Sequence, residues 1–132
     1  MKRPYYGWVV VAAAFVLMFV GFGAAYSFAA FFTAFQADFS ASRANVSLVF
    51  SVAAFLWFTL GAPGGMLADR FGPRRVCLVG VACMAAAPLL ASAAQSIEML
   101  YLTYSIGIGV GIGLTYVPSV GAVQPWFVQN RA

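Results

Sequence analysis

The sequence has no histidine, only two cysteines, and ten charged residues among 132. The missing histidine excludes imidazole acid/base chemistry and the usual zinc ligand sets. Cys77 and Cys83 alone build no disulfide framework. Charged residues make up 8% of the chain and apolar residues 64%, against about 25% and about 45–50% in a soluble domain. Ten ionisable groups are too few to solvate the surface that a domain of this size leaves wet. The 17% aromatic content is the opposite of the disordered signature. The solvent implied is lipid.

What is present is long neutral runs. The charges divide the chain into Pro4 to Ala37, Ala44 to Ala68, Val76 to Ile97 and Met99 to Asn130, of 34, 25, 22 and 32 residues. Each exceeds the roughly 20 residues that cross a bilayer as a helix, and none has charges recurring at helical spacing to make a polar face. The expectation is an all-α membrane protein of four transmembrane helices near residues 8–35, 46–67, 76–94 and 99–120, with no soluble domain. Short connections make consecutive spans antiparallel neighbours.

Lys2, Arg3, Arg70, Arg74, Arg75 and Arg131 fall on one side of this arrangement and Arg43 alone on the other. By the positive-inside rule both ends and the middle turn face the cytoplasm, in a multi-pass inner (plasma) membrane protein. The formal net charge of +4 then reads as topology and contact with anionic lipid. Basic residues scattered over two tails and a turn do not make a nucleic-acid surface. Lys2-Arg3 before an apolar run also has the look of a secretory signal. A signal's apolar region is about 7–15 residues, however, and Tyr5, Tyr6 and Trp8 suit the interfacial belt of a true span.

The most informative stretch is Gly65-Met66-Leu67-Ala68-Asp69-Arg70-Phe71-Gly72-Pro73-Arg74-Arg75. It ends one helix and starts the next within a few residues. Gly64, Gly65 and Gly72 allow close approach or unusual backbone angles, and Pro73 stops helical continuation. A plain positive-inside turn accounts for the arginines but not for an aspartate among them, which can pair with the arginines or cap a helix. The spacing G-x-L-A-D-R-x-G-x-R-R resembles the signature between the second and third spans of major facilitator superfamily transporters. That resemblance implies a twelve-helix fold of which these are the first four. It also implies a charge cluster at Gly65, Asp69, Arg70, Gly72 and Arg74 that holds cytoplasmic helix ends together and rearranges as access switches.

A narrower resemblance covers nearly the whole chain. Tyr6-Gly7-Trp8-Val9-Val10, Ser27 with Phe31-Phe32, Phe39-Ser40-Ala41-Ser42-Arg43, and Gly111-Ile112-Gly113-Leu114-Thr115-Tyr116-Val117-Pro118-Ser119 with Trp126-Phe127 are similar to the monocarboxylate porter branch, with oxalate/formate exchangers a near neighbour. Tyr26 stands where animal members of that branch carry a lysine in the first span. An anionic substrate at mid-membrane needs a cationic partner, which this resemblance places outside these four spans.

Gly107, Gly109, Gly111 and Gly113 are not a dinucleotide fingerprint, because Ile112 stands where the third glycine is needed and no strand precedes them. Gly107/Gly111 and Gly109/Gly113 are instead four apart and allow close helix packing, as does Gly61/Gly65. By resemblance, the first and fourth helices line a central cavity, making Tyr26, Ser27, Tyr104, Tyr116 and Ser119 candidate cavity residues. The other reading of each hydroxyl, Thr115 included, is a hydrogen bond to its own or a neighbouring helix. Cys77 and Cys83 are expected as buried apolar thiols on different faces, and Pro88 and Pro118 as tolerated bends.

The resulting expectation is an N-terminal piece of a secondary transporter for a small organic anion, working by alternating access with the rest of the transporter and the bilayer as partners. No cofactor or metal is expected. A different class, a non-transporting four-span subunit packing through its glycine faces, is the alternative. A small four-helix multidrug exporter would carry a glutamate in its first span, and none is there. An intramembrane enzyme would need a nucleophile, base and ligand set that this composition does not supply.

Overall fold

In lipid the backbone has no water to bond to, so an apolar chain satisfies its own N–H and C=O groups by forming helices. The computed structural model of this chain follows that rule. It describes residues 6–130, with side chains to 127; Lys2, Arg3, Pro4, Tyr5 and Arg131 lie outside the described residues. Helix α1 runs Tyr6–Asp38, α2 Arg43–Phe71 and α3 Pro73–Ser92. The fourth span is composite. Helix α4 (Ile97–Leu100) passes through a π-helical turn at Tyr101–Ser105 into α5 (Ile106–Val123), and a 3₁₀ segment follows at Gln124–Asn130. Among the described residues, four helices are long and apolar enough to cross a membrane, the fourth spanning Ile97–Phe127. At 33 residues α1 is roughly 50 Å long, well beyond a hydrocarbon core of about 30 Å.

Each reversal has a local cause. Ser42 caps α2 by accepting from the Asn45 amide at 3.2 Å, and Ser96 caps α4 by accepting from the Met99 amide at 3.2 Å. Between α2 and α3 one residue serves both helices. Gly72 has φ 89° and ψ 140° and donates its N–H to the Ala68 carbonyl at 2.9 Å, while Pro73 opens α3 at a position that needs no N–H donor.

The fourth span is the centre of the bundle, packed by α1, α2 and α3. Of its most apolar stretch 44% is buried, against 17% for α1. Its two glycine rows face different neighbours. A Cβ at Gly107 or Gly111 would meet Ala87 or Met84 of α3 within 2.5 Å, and one at Gly109 or Gly113 would meet Leu56 or Leu60 of α2 within 2.8 Å. The neighbours answer with small residues of their own. A Cβ on Gly64 would lie 2.6 Å from the Gly113 carbonyl oxygen, and one on Gly80 2.8 Å from that of Gly111. On α1 the buried positions Gly7, Ala14, Gly21 and Phe28 recur every seven residues, the spacing that keeps one stripe against a left-handed crossing.

The core sits in the half of the bundle away from the α2–α3 turn. Ala25, Phe28, Val46, Val49, Leu100, Tyr104 and Ile108 are buried there together. Phe28 lies at the middle of this core, 4.9 Å from the Tyr104 ring and 5.4 Å from Phe35 between centroids.

Candidate functional site

The Asp/Arg turn closes the opposite end. Asp69, Arg70, Arg74 and Arg75 are exposed, and the Arg70 guanidinium lies 5.4 Å from the centroid of the Phe71 ring. Asp69 does not cap α3: the cap is Gly72, with no side-chain hydrogen bond. The positive φ of Gly72 puts Asp69 and Arg74 on the rim of the same cleft, whereas Arg70 and Arg75 are outside its lining. Gly65 lies under this turn, where an added Cβ would come 3.0 Å from a methyl of Val117.

That cleft, of about 740 Å³, opens between the first three turns of α1, the turn itself, the start of α3 and the end of α5. Its walls are largely small or aliphatic: Val10, Ala13, Ala14 and Leu17 from α1, Val81 from α3, and Val117 and Ala122 from α5. The polar groups in it are Asp69, Arg74, Cys77 and Ser119, with Tyr6 and Trp126 at the rim, their ring centroids 5.1 Å apart. Trp8 and Phe127 make a second such contact at 5.9 Å. The start of α1, the end of the fourth span and the α2–α3 turn are thus together at one end.

The five candidate cavity residues divide into two kinds. Tyr26 (64% exposed) and Tyr116 (46% exposed) flank Phe22, with centroids 6.4 and 5.9 Å from it, and Trp57 meets the same ring at 5.9 Å. Phe50 closes the group, 6.2 Å from Tyr26 and 6.1 Å from Trp57. An aromatic ledge therefore joins α1, α2 and α5, with both phenols at its exposed edge. Tyr26 also lines a smaller pocket of about 330 Å³ with Ser47 and Ser51. Ser27 is exposed beside Tyr26, its hydroxyl donating to the Ala24 carbonyl at 2.7 Å.

Tyr104 and Ser119 are of the second kind, buried with their hydroxyls satisfied by backbone. Tyr104 donates to the carbonyls of Ala24 and Ala25 at 3.1 and 3.2 Å, and Ser119 to that of Thr115. Thr115 in turn bonds back to Gly111 at 2.9 Å. Only Ser119 also reaches a cleft wall, 3.7 Å from the sulfur of Cys77. Both thiols are half-buried rather than buried.

Sequence reasoning missed the π-turn, the donor at its end and the ledge. Ser105, fully buried, donates to the Val49 carbonyl of α2 at 2.7 Å. The signal available was three consecutive hydroxyl residues, Thr103-Tyr104-Ser105, in a long neutral run. Phe22, Phe50 and Trp57 are indistinguishable in sequence from lipid-facing aromatics.

The Major Facilitator Superfamily model matches residues 8–132, nearly the whole chain. The chain belongs to the Major Facilitator Superfamily. Four apolar spans in a member of this superfamily make it a multi-pass membrane protein. Among curated proteins it is similar to monocarboxylate transporter 13 of Rattus norvegicus, 36% identical over 96% of this chain and 30% of that protein. It is similar as well to monocarboxylate transporter 3 of the same species, at 32% over 96% of this chain and 26% of the relative. The uncharacterized transporter ESBP6 of Saccharomyces cerevisiae is 33% identical over 96% of this chain and 19% of its own length. The chain therefore spans about a third or less of these superfamily relatives. No solved structure matches it.

Proposed function

We propose that this chain is the motif-bearing part of a secondary transporter that moves a small organic anion, of the monocarboxylate class, by alternating access across the inner (plasma) membrane. The observation that carries this reading is the turn at Gly65–Arg75. Asp69 and Arg74 stand at the mouth of a cleft that separates α1 from α3, so a change in their partners changes how those helix ends meet. The similarity to two monocarboxylate transporters supports the substrate class. The ends and the α2–α3 turn face the cytoplasm in this reading, in keeping with six of seven basic residues on that side.

Tyr26 and Tyr116 are hydroxyl donors for the anion in this proposal, and Ser27 becomes one when it releases the Ala24 carbonyl, whereas Tyr104 and Ser119 act through the backbone they hold. No charged residue lies between Tyr6 and Ala37 or between Met99 and Asn130. The cation that neutralises a carboxylate is therefore supplied by the remainder of the transporter.

The test is Asp69→Asn in the full-length transporter, reconstituted in proteoliposomes and assayed for uptake of radiolabelled pyruvate. Uptake falls at least tenfold on the order of magnitude expected when a charged hydrogen-bonding partner is lost, at unchanged membrane insertion. Equal uptake at equal abundance would remove Asp69 from the switch.

A further inference from the structure

We infer that Tyr104 is a positioning residue, which holds through two carbonyls of α1 the segment that presents Tyr26 and Ser27; the inference rests on the transport reading above. The Ala24 and Ala25 carbonyls sit mid-helix, where the amides of residues 28 and 29 are their ordinary partners. The Tyr104 hydroxyl adds a third-party donor to both, at 3.1 and 3.2 Å, and the Ser27 hydroxyl adds another to Ala24 at 2.7 Å. The Ser27 hydroxyl competes for the Ala24 carbonyl from within the helix itself, which loosens a turn, and Gly23 beside it has nothing within 4 Å of its Cβ position. The middle of α1 is therefore a soft point, and Tyr104, on the π-turn, ties it across the bundle to the fourth span.

The geometry separates this role from plain packing. The Tyr104 ring lies 4.9 Å from Phe28, so Tyr104→Phe keeps the ring in the core and removes the one hydroxyl proton shared between the two carbonyls. Ser105, its neighbour on the turn, fixes the same turn to the Val49 carbonyl of α2. The turn itself thus stays anchored when the phenol is lost, and the freedom gained belongs to α1.

The experiment uses the full-length transporter in proteoliposomes with radiolabelled pyruvate, and in nanodiscs for hydrogen exchange. Tyr104→Phe is expected to raise KM about two- to tenfold, the range one net hydrogen bond spans when it sets the binding-competent fraction, with the maximal rate within about twofold. Exchange should rise in the α1 peptide around residues 24–29 and not in the α2–α3 hairpin. In a background carrying both Tyr26→Phe and Ser27→Ala the same change should add nothing to KM. An unchanged KM, additive effects in that double background, or exchange raised in every span would overturn the inference. A wild-type protein that moves no pyruvate would overturn the transport reading on which it stands, and the two failures are distinguishable because the α1 exchange response does not depend on uptake.

Discussion

The two halves of this bundle are both largely apolar and have opposite structures. Away from the motif, large side chains of four segments meet, and hydroxyls cross between helices: Tyr104 to α1, Ser105 to α2, and Tyr101 to the Asn45 carbonyl at 2.6 Å. At the motif end, alanine, valine and glycine line a cleft of about 740 Å³, and the hydroxyl of Ser119 bonds within its own helix. Lipid tails are as apolar as the side chains, so hydrophobicity does not draw one helix to another. Fit and interhelical hydrogen bonds decide which half closes. The closed half is built to hold its shape, and the open half carries the Asp69–Arg75 charge cluster.

The largest effect that would break this contrast is expected where backbone touches backbone. Gly64→Ala places a Cβ 2.6 Å from the Gly113 carbonyl oxygen, and a main-chain atom does not swing aside as a methionine tip does. Overpacking of this kind costs about 3 kcal/mol, read as a lower midpoint of SDS-induced unfolding in mixed micelles. A midpoint like that of the wild type would mean that α2 and α5 are farther apart than described. Next in size is Gly72→Ala, which forces an L side chain to φ 89°. Strain of about 2 kcal/mol is expected in the same titration, together with lost uptake, because Asp69 and Arg74 depend on that residue for their relative placement.

Much of this was legible in the sequence, and what was not has physical reasons. Neutral runs and loop arginines mark spans and reversals because lipid penalises charge and bare backbone alike. Gly107/Gly111 and Gly109/Gly113 could be read as two packing rows, and their neighbours are indeed α3 and α2. Gly64 was marked for close approach by its place beside Gly65, whereas Gly80 could not be found by the same rule, since it answers a carbonyl on another helix and has no glycine four residues away on its own. The burial of Phe28 against the exposure of Tyr26 was hidden too, because in an apolar helix the lipid face and the protein face carry the same residue types. Tyr104 and Ser119 shared a chemistry with Tyr26, and only a carbonyl within reach in the folded bundle separates their held hydroxyls from the exposed phenol of Tyr26. The π-turn leaves no mark in composition, for it changes the bonding of five residues and not their kind.

A smaller effect tests the closed half alone. Ser105→Ala removes the bond to the Val49 carbonyl and should cost about 0.6 kcal/mol, the mean for such bonds between membrane helices, because an unfolded span in lipid also finds partners. The shift in the SDS midpoint would be small and the uptake nearly unchanged. A loss above about 2 kcal/mol would mean that the π-turn unwinds without its anchor.

The smallest change belongs to the open half. Gly121 is on the same helix as Gly111 and Gly113, yet a Cβ built on it meets nothing within 4 Å, and it lines the cleft. With no neighbour to strike, Gly121→Ala trades backbone freedom for helix propensity and should leave stability unchanged or raise it by about 0.5–1 kcal/mol. The measurement is the same SDS titration, made on the full-length transporter. A neutral result keeps the motif end open where α5 leaves the bundle. A loss of more than about 1 kcal/mol would show that another helix of the transporter lies against Gly121, and the contrast between the two halves would then belong to these four spans and not to the assembled protein.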